Sequence, residues 1–490
     1  MSYQTNLFIN NEYIPSSSGE TLTIYSPNDD TVVTDKIQVA SEADVDRAVA
    51  AAKAAFPSWS STPGAQRAKL MLKFADLLEA NAEKLGKLES VCMGFVAGAC
   101  ATWRYYAGLA DKIAGESYPP GGDGSYKIVA WEALGVCAGI SAWNGTHVLA
   151  AWKMAPALAA GNTFVFKSSE KSPLGAAAYG ELIKEAGMPP GVINILTGAA
   201  PVGAILASHM EIAKIAFTGS AAGGRAVQIA ATKSNMKHVS LELGGKSPAL
   251  IVRVLPQKDG AIRARFDDAD LDNALLHNAT SFLRNSGQVC FASSRVLVQE
   301  GIAPKFIEGI KKAFEDAAKK MGDPSLADTA FGPLADKKQF ERVMGFLTDG
   351  KNEGIQVLTG GGRIGDKGTF VQPTVLLNPD VKSRVFTDEI FGPVIAVRTF
   401  KTEEEAIALA NDTTYGLGSS LFTSDIPRAL RVASKIEAGN VGINQAYKTS
   451  PQTPFGGVKQ SGYGREGGYE GLKGYLHAKT ITINMEVAKK

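Results

Sequence analysis

The chain has 490 residues, enough for about three structural units, and its 45% apolar and 20% charged content excludes wholesale disorder or coiled coil. Its 51 lysines and arginines against 49 acids leave a net charge of +2, with no electrostatic case for nucleic acid or an anionic membrane. Four cysteines are too few for a disulfide framework, and no cysteine or histidine pair has ligand spacing, which implies a reducing compartment and no metal.

The N-terminus has neither a basic start nor an apolar stretch, and Val-Ala-Lys-Lys at the other end matches no retention or peroxisomal signal, so a cytoplasmic location is expected. The uncharged stretch Ala133–Trp152 is long enough to span a bilayer. Asn144-Gly145-Thr146-His147 in its middle would be costly in lipid, so it reads as strand, turn and helix start. From there strands and helices alternate: strand Val136–Ile140, helix Val148–Ala159, strand Thr163–Lys167, helix Pro173–Ala186, strand Val192–Leu196, helix Pro201–Ser208, strand Lys214–Phe217, helix Arg225–Ala231 and strand Val239–Leu243. This order predicts a parallel, doubly wound α/β sheet, with ligands at the carboxyl ends of its strands.

A second α/β unit follows. A helix over Asp270–Arg284 leads through the loop Asn285–Cys290 to strand Arg295–Gln299 and an amphipathic helix over Pro304–Met321. Later strands at Gln356–Thr359, Ser419–Phe422 and Asn440–Asn444 are separated by helices at Glu403–Asn411 and Ile426–Ala438. The last segment, Lys479–Met485, alternates polar and apolar residues as a late strand, for which a neighbouring subunit is a candidate partner.

Single motifs carry little. Two G-x-G-x-x-G matches, at Gly360 and Gly462, do not lie between a strand and a helix, where that pattern has meaning. The turn Phe217-Thr-Gly219-Ser220-Ala-Ala-Gly223-Gly224 does, so its backbone N–H groups could face a pyrophosphate; a plain strand-to-helix turn is an equal reading. Cys290, taken alone, is more often a small buried hydrophobe than a nucleophile.

Seven motifs together are more specific: Ala142-Trp143-Asn144, Lys167–Glu170, Phe217–Ser220, Leu241–Pro248, Gly287–Cys290, Glu389–Val394 and Pro454–Gly462. In this order they resemble the NAD(P)-dependent aldehyde dehydrogenase superfamily over nearly the whole chain. The resemblance implies an α/β fold with a Rossmann-type NAD-binding domain (1–110 and 134–244), a second α/β catalytic domain (245–446), and a β oligomerisation arm with C-terminal tail (111–133 and 447–490). It implies Cys290 as nucleophile, Asn144 with the Cys290 backbone N–H as oxyanion hole, and Glu242 as general base, whose presence argues against acyl transfer to coenzyme A. For the cofactor it implies Lys167 and Glu170 at the adenosine ribose, Glu389 at the nicotinamide ribose, Gly219 and Ser220 at the pyrophosphate, and Trp143 and Phe391 in the cofactor wall. A carboxylate at Glu170 would repel a 2′-phosphate, so NAD is expected. A homodimer or homotetramer acting on a small-molecule aldehyde, without nucleic acid or membrane, completes the picture.

Departures from the family pattern bear on the substrate. Gly145 stands where a bulky aromatic is common, and Arg284 where an apolar residue commonly lines the tunnel; Phe455 is the third tunnel residue expected. Bulky or acidic aldehydes follow as the expectation; an Arg284 that points to solvent and pairs with a surface carboxylate is an equal reading of that residue. Between Met93-Gly94 and Trp103 the chain looks short, and Val252–Arg265 interrupts an otherwise continuous pattern and is expected to contribute nothing to function. The rival to an NAD-dependent oxidation of aldehyde to acid is a catalytically impaired scaffold of the same fold, against which the retention of Cys290, Glu242, Asn144, Lys167 and Glu389 argues.

Overall fold

A computed structural model describes residues 3–92, 98–252, 267–326 and 328–485. Most of the expected insertion Val252–Arg265, and Met93-Gly94 of the short stretch, lie outside these residues.

The alternation over 136–242 builds five parallel strands, in spatial order His238–Glu242, Lys214–Thr218, Val136–Ile140, Thr163–Lys167 and Ile193–Leu196. The strands Val136–Ile140 and Thr163–Lys167 are buried at every residue, which is why the first reads as an unbroken apolar run and the second as an apolar centre, Phe164–Phe166, rather than as alternation. The chain enters at Val136–Ile140, builds outward through two strands, then returns to the other side. The order therefore reverses between Val136–Ile140 and Lys214–Thr218, and the carboxyl ends there open a crevice.

Antiparallel strands extend both edges. The hairpin Leu7–Ile9 and Glu12–Ile14 joins beyond Ile193–Leu196, and Gly462–Tyr463 pairs with His238–Glu242. The stretch 447–490, expected to serve as arm and tail, thus returns in part to the first sheet. Trp59, Phe74, Trp103, Phe164 and Tyr179 pack on one face of this sheet, and Val45, Val49, Val165 and Ile215 on the other.

The second sheet runs Gln356–Thr359, Thr374–Leu377, Val394–Phe400, Arg295–Gln299, Pro248–Ile251, Gly418–Phe422 and Asn440–Ile443, parallel but for the first pair. The helix expected over Asp270–Arg284 is shorter: an α-helix Asp267–Leu276 passes into a π turn His277–Ser281 and a 3-10 turn Arg284–Gly287. The cause is local, since Asn285, Ser286 and Gly287 have φ of 49°, 53° and 73° and leave the helical ladder. The terminal strand is Leu476–Asn484, and its partner lies in its own chain: it pairs with Ser125–Ala133, which also pairs with Glu116–Tyr118. The uncharged stretch Ala133–Trp152 is a strand, a loop and the start of the helix Thr146–Ala159. No helix among the described residues is long and apolar enough to cross a membrane.

Candidate active site

The two sheets meet through the connection from Glu242 to Pro248, and each contributes one side of the site. Carboxyl ends of the first sheet supply Asn144 after Ile140, Lys167 at the end of its strand, Ser220 after Thr218, and Glu242 at the end of its strand. Loops leading into the second sheet supply Cys290 ahead of Arg295–Gln299 and Glu389 ahead of Val394–Phe400. The approach is close at two glycines. A Cβ on Gly245 would sit 2.4 Å from the Cys290 carbonyl oxygen, and one on Gly244 would sit 2.2 Å from the Glu389 carboxylate. Neither neighbour leaves room for a side chain.

The nucleophile loop is held by a small amide network. The Asn144 side chain donates to the Gln288 carbonyl at 3.1 Å, and Asn285 donates to the Asn144 carbonyl at 3.3 Å. Gln288 in turn donates to the Asn285 carbonyl and accepts from the Ala335 N–H. The left-handed turn thus fixes Asn144 against the loop that carries Cys290. Asn144 also immediately precedes Gly145, the N-cap of the buried helix Thr146–Ala159, so negative charge beside its amide lies at the positive end of that helix.

Glu242 is 4% exposed, and apart from the Cys290 thiol its carboxylate oxygens meet no hydrogen-bond donor among the described residues. Burial first and the charge of Glu466 second push it up to about 8, while the Cys290 thiol and Lys153 pull it back. Burial likewise pushes the Cys290 thiol well above its ordinary value, and the Glu242 charge adds to this. A neutral thiol beside a carboxyl group poised near neutrality is a pair between which one proton can move.

Sequence reasoning missed the groups behind Glu242. Lys153 is fully buried in the helix Thr146–Ala159, donates to Thr218 Oγ1 at 2.5 Å, and pairs with Glu466 at 2.6 Å. Thr218 and Glu242 are register partners on adjacent strands, which places this chain of polar groups directly beside the general-base position. The available signal was a lone lysine in a helix without other charges.

Groups that could hold a dinucleotide stand at the carboxyl ends of the first sheet and in the loops entering the second. Lys167 is buried, its pKa lowered by burial and raised by Glu170, whose carboxylate lies 3.8 Å away and is 41% exposed. Ser220 caps the helix Ala221–Lys233 by accepting from the Gly223 N–H. A Cβ on Gly219 or Gly223 would strike the Phe217 ring at 2.7 or 2.8 Å, so packing already demands glycine there. Glu389 accepts from the Gly245 N–H at 3.0 Å; burial pushes it up to about 7 against that bond and the Arg342 and Lys246 charges. Trp143 and Phe391 meet edge to face at 5.3 Å. An open crevice, an exposed carboxylate beside a buried lysine, and a capped helix N-terminus facing it suit a dinucleotide carrying ribose hydroxyls and a pyrophosphate.

Apolar side chains close the opposite side. Phe455 is buried and packs with Trp152, Phe291 and Tyr447, in one cluster with Cys290 and Leu149. A Cβ on Gly145 would meet only Leu149, at 4.0 Å, so there is open space beside it. Arg284 is exposed on the turn that leads to Cys290 and has no ion-pair partner among the described residues.

The family model for the aldehyde dehydrogenase family matches residues 13–481. An aldehyde dehydrogenase of Davidiella tassiana is 42% identical, with 98% of this chain and 95% of that protein covered. Retinal dehydrogenase 2 of Homo sapiens is also 42% identical, with 98% and 92% covered. Among solved structures, betaine aldehyde dehydrogenase of Staphylococcus aureus in complex with NAD+ superposes with a TM-score of 0.92 at 35% identity, covering 100% of this chain and 99% of that one. Indole-3-acetaldehyde dehydrogenase of P. syringae, in complex with NAD+ and IAA, gives 0.92 at 36% identity, covering 99% and 97%. Similarity in sequence and fold over nearly the whole chain establishes that it belongs to the aldehyde dehydrogenase family.

Proposed function

We infer that this chain oxidises an aldehyde to a carboxylic acid with NAD, through a cysteine thiohemiacetal and thioester. One observation carries the reading: Cys290, Glu242 and the Asn144 amide converge where the carboxyl ends of one sheet face the loops entering the other. Glu242 takes the thiol proton, the Cys290 sulfur attacks the carbonyl carbon, and the oxyanion is met by the Asn144 amide and the Cys290 N–H. NAD, when bound, supplies the hydride acceptor. Glu242 gives the thiol proton up to solvent, then takes a proton from the water that attacks the thioester; the carboxylic acid leaves as the C–S bond breaks, and Glu242 returns that proton to the Cys290 sulfur. Lys167 and Glu170 would hold the adenosine ribose, Ser220 and Gly219 the pyrophosphate, Glu389 the nicotinamide ribose, and Trp143 and Phe391 the wall beside it. The Glu170 carboxylate supports NAD over its 2′-phosphorylated form.

NADH absorbance with a panel of aldehydes tests the activity. Cys290→Ala is expected to show no turnover, whereas Glu242→Gln accumulates an acyl adduct visible by mass spectrometry. Full turnover by the Cys290 variant sinks the assignment.

The open space at Gly145 and the aromatic cluster around Phe455 support bulky aldehydes, and the unpaired Arg284 supports those carrying an acidic group. Arg284→Leu is then expected to lower kcat/KM for acidic aldehydes about tenfold relative to neutral ones, in line with one lost charged hydrogen bond. An unchanged ranking removes the electrostatic part. A cytoplasmic homodimer or homotetramer fits the cysteine usage and the half-exposed three-stranded sheet at the chain terminus.

A further inference from the structure

Five residues form a closed circuit of contacts between the two sheets. Trp143 and Lys171 lie on loops of the first sheet; Asp336, Gln339 and Phe391 belong to the second. Lys171 Nζ lies 2.9 and 2.8 Å from the two Asp336 carboxylate oxygens and 5.3 Å from the centre of the Trp143 ring. Asp336 is the N-cap of the helix Lys337–Asn352 and accepts the Gln339 N–H at 2.8 Å. The Gln339 side chain donates to the Phe391 carbonyl at 2.8 Å and, more weakly, to that of Ile390 at 3.4 Å. Phe391 has φ +60°, a left-handed conformation strained for a bulky residue, which the Gln339 bond helps to hold. Its ring meets Trp143 edge to face, which closes the circuit.

Two members of the circuit, Trp143 and Phe391, are the side chains assigned above to the cofactor wall. We propose that Lys171 and Asp336 are positioning residues that clasp the two sheets together over the dinucleotide, and so set how long it stays bound. This rests on the dinucleotide reading of the crevice. The circuit contains one ion pair, and that pair is the link most open to water, with side chains 17% and 36% exposed. Salt therefore weakens this link first. The aromatic contact and the amide bonds have no comparable salt dependence. Loosening the pair leaves the Trp143–Phe391 ring contact as the circuit's one remaining link between the two sheets, so the wall parts more readily and the dinucleotide leaves sooner.

The test is the dissociation rate of NADH from the intact protein, followed by fluorescence after displacement with excess NAD+, at low and high salt. Lys171→Met and Asp336→Asn are expected to raise the rate about three- to tenfold at low salt, the effect of a partly exposed ion pair with a cation–π contact. Asparagine is as good an N-cap as aspartate, so the second variant removes the charge and keeps the helix start. The double variant adds nothing beyond either single one, because both remove the same link. In the unaltered protein the rate rises with salt toward that of the variants, whose own rates stay nearly flat, and this readout needs no substitution to fold. Unchanged rates and unchanged salt dependence in both variants overturn the clasp. Slower release by Asp336→Asn overturns it differently, since a freed Lys171 would then be holding the cofactor phosphates itself. NADH that fails to bind the unaltered protein overturns the dinucleotide reading and the clasp with it, whereas normal binding with unaltered release overturns the clasp alone.

Discussion

Glu242 is the residue on which the pH behaviour turns. Its carboxylate is the form that takes a proton, and burial with Glu466 pushes it up to about 8. Thioester hydrolysis is therefore expected to rise with pH toward about 8 and to level off above it. Glu466→Gln removes the negative neighbour and leaves the Lys153 cation, so the limb moves to lower pH; Lys153→Met removes the opposing cation, so the limb moves up. Shifts of about one unit in opposite directions are expected in the decay of the acyl-enzyme, and shifts in the same direction would refute the electrostatic account. The roles proposed for Cys290, Asn144 and Glu242 are suggested by the sequence because each stands in a short motif. Lys153 and Glu466 are not, because they lie 313 residues apart and meet only after both strands flanking Glu242 are in place. Glu466 even sits in the glycine-rich run that fails as a dinucleotide motif; there it accompanies an edge strand of the first sheet.

Among elements, the buried parallel strands are the most readable, since burial on both faces writes itself as consecutive apolar residues, five in Val136–Ile140 and three in Phe164–Phe166. The edge additions are too short to show any period: Leu7–Ile9 and Glu12–Ile14 have three residues each, and Gly462–Tyr463 has two. The strand Pro248–Ile251 bears on the insertion. Beyond it Val252 is buried among Leu250, Phe386 and Ala406, and its N–H donates to the Phe422 carbonyl at 3.1 Å. Deleting Val252–Arg265 brings Phe266 directly after Ile251, which restores both an N–H and an apolar side chain at that place. Activity of the deletion variant is expected to equal or exceed that of the full chain with a higher soluble yield. The larger side chain is expected to cost about 1–3 kcal/mol, read as a lower midpoint in thermal unfolding. Lost activity with folding intact would show that the segment takes part in catalysis or cofactor binding.

At the scale of the molecule, the three-stranded sheet has a face that stays exposed among the described residues. Residues two apart on a strand share a face, so Ile481 and Ile483 lie together, and their register partners Ile128 and Tyr126 complete one apolar surface. Ile481 and Ile483 are 43% and 40% exposed, and Met485 beyond them is exposed as well. On the same sheet the outer edge of Leu476–Asn484 has no strand partner among the described residues. The sequence reading that this strand needs a partner was right about the need; the Ser125–Ala133 strand satisfies one edge and leaves the other for something else. A long, half-apolar strand with an open edge is an association site by its own chemistry, and a second copy of the chain brings the same surface to it. Ile481→Lys with Ile483→Lys places two charges on that face without touching the ladder hydrogen bonds or either core. Sedimentation velocity is expected to shift from an oligomer to a 51.6 kDa monomer, while circular dichroism and NADH binding stay unchanged because the crevice lies in the other two sheets. If the double variant sediments like the unaltered protein, the arm is not what joins the subunits.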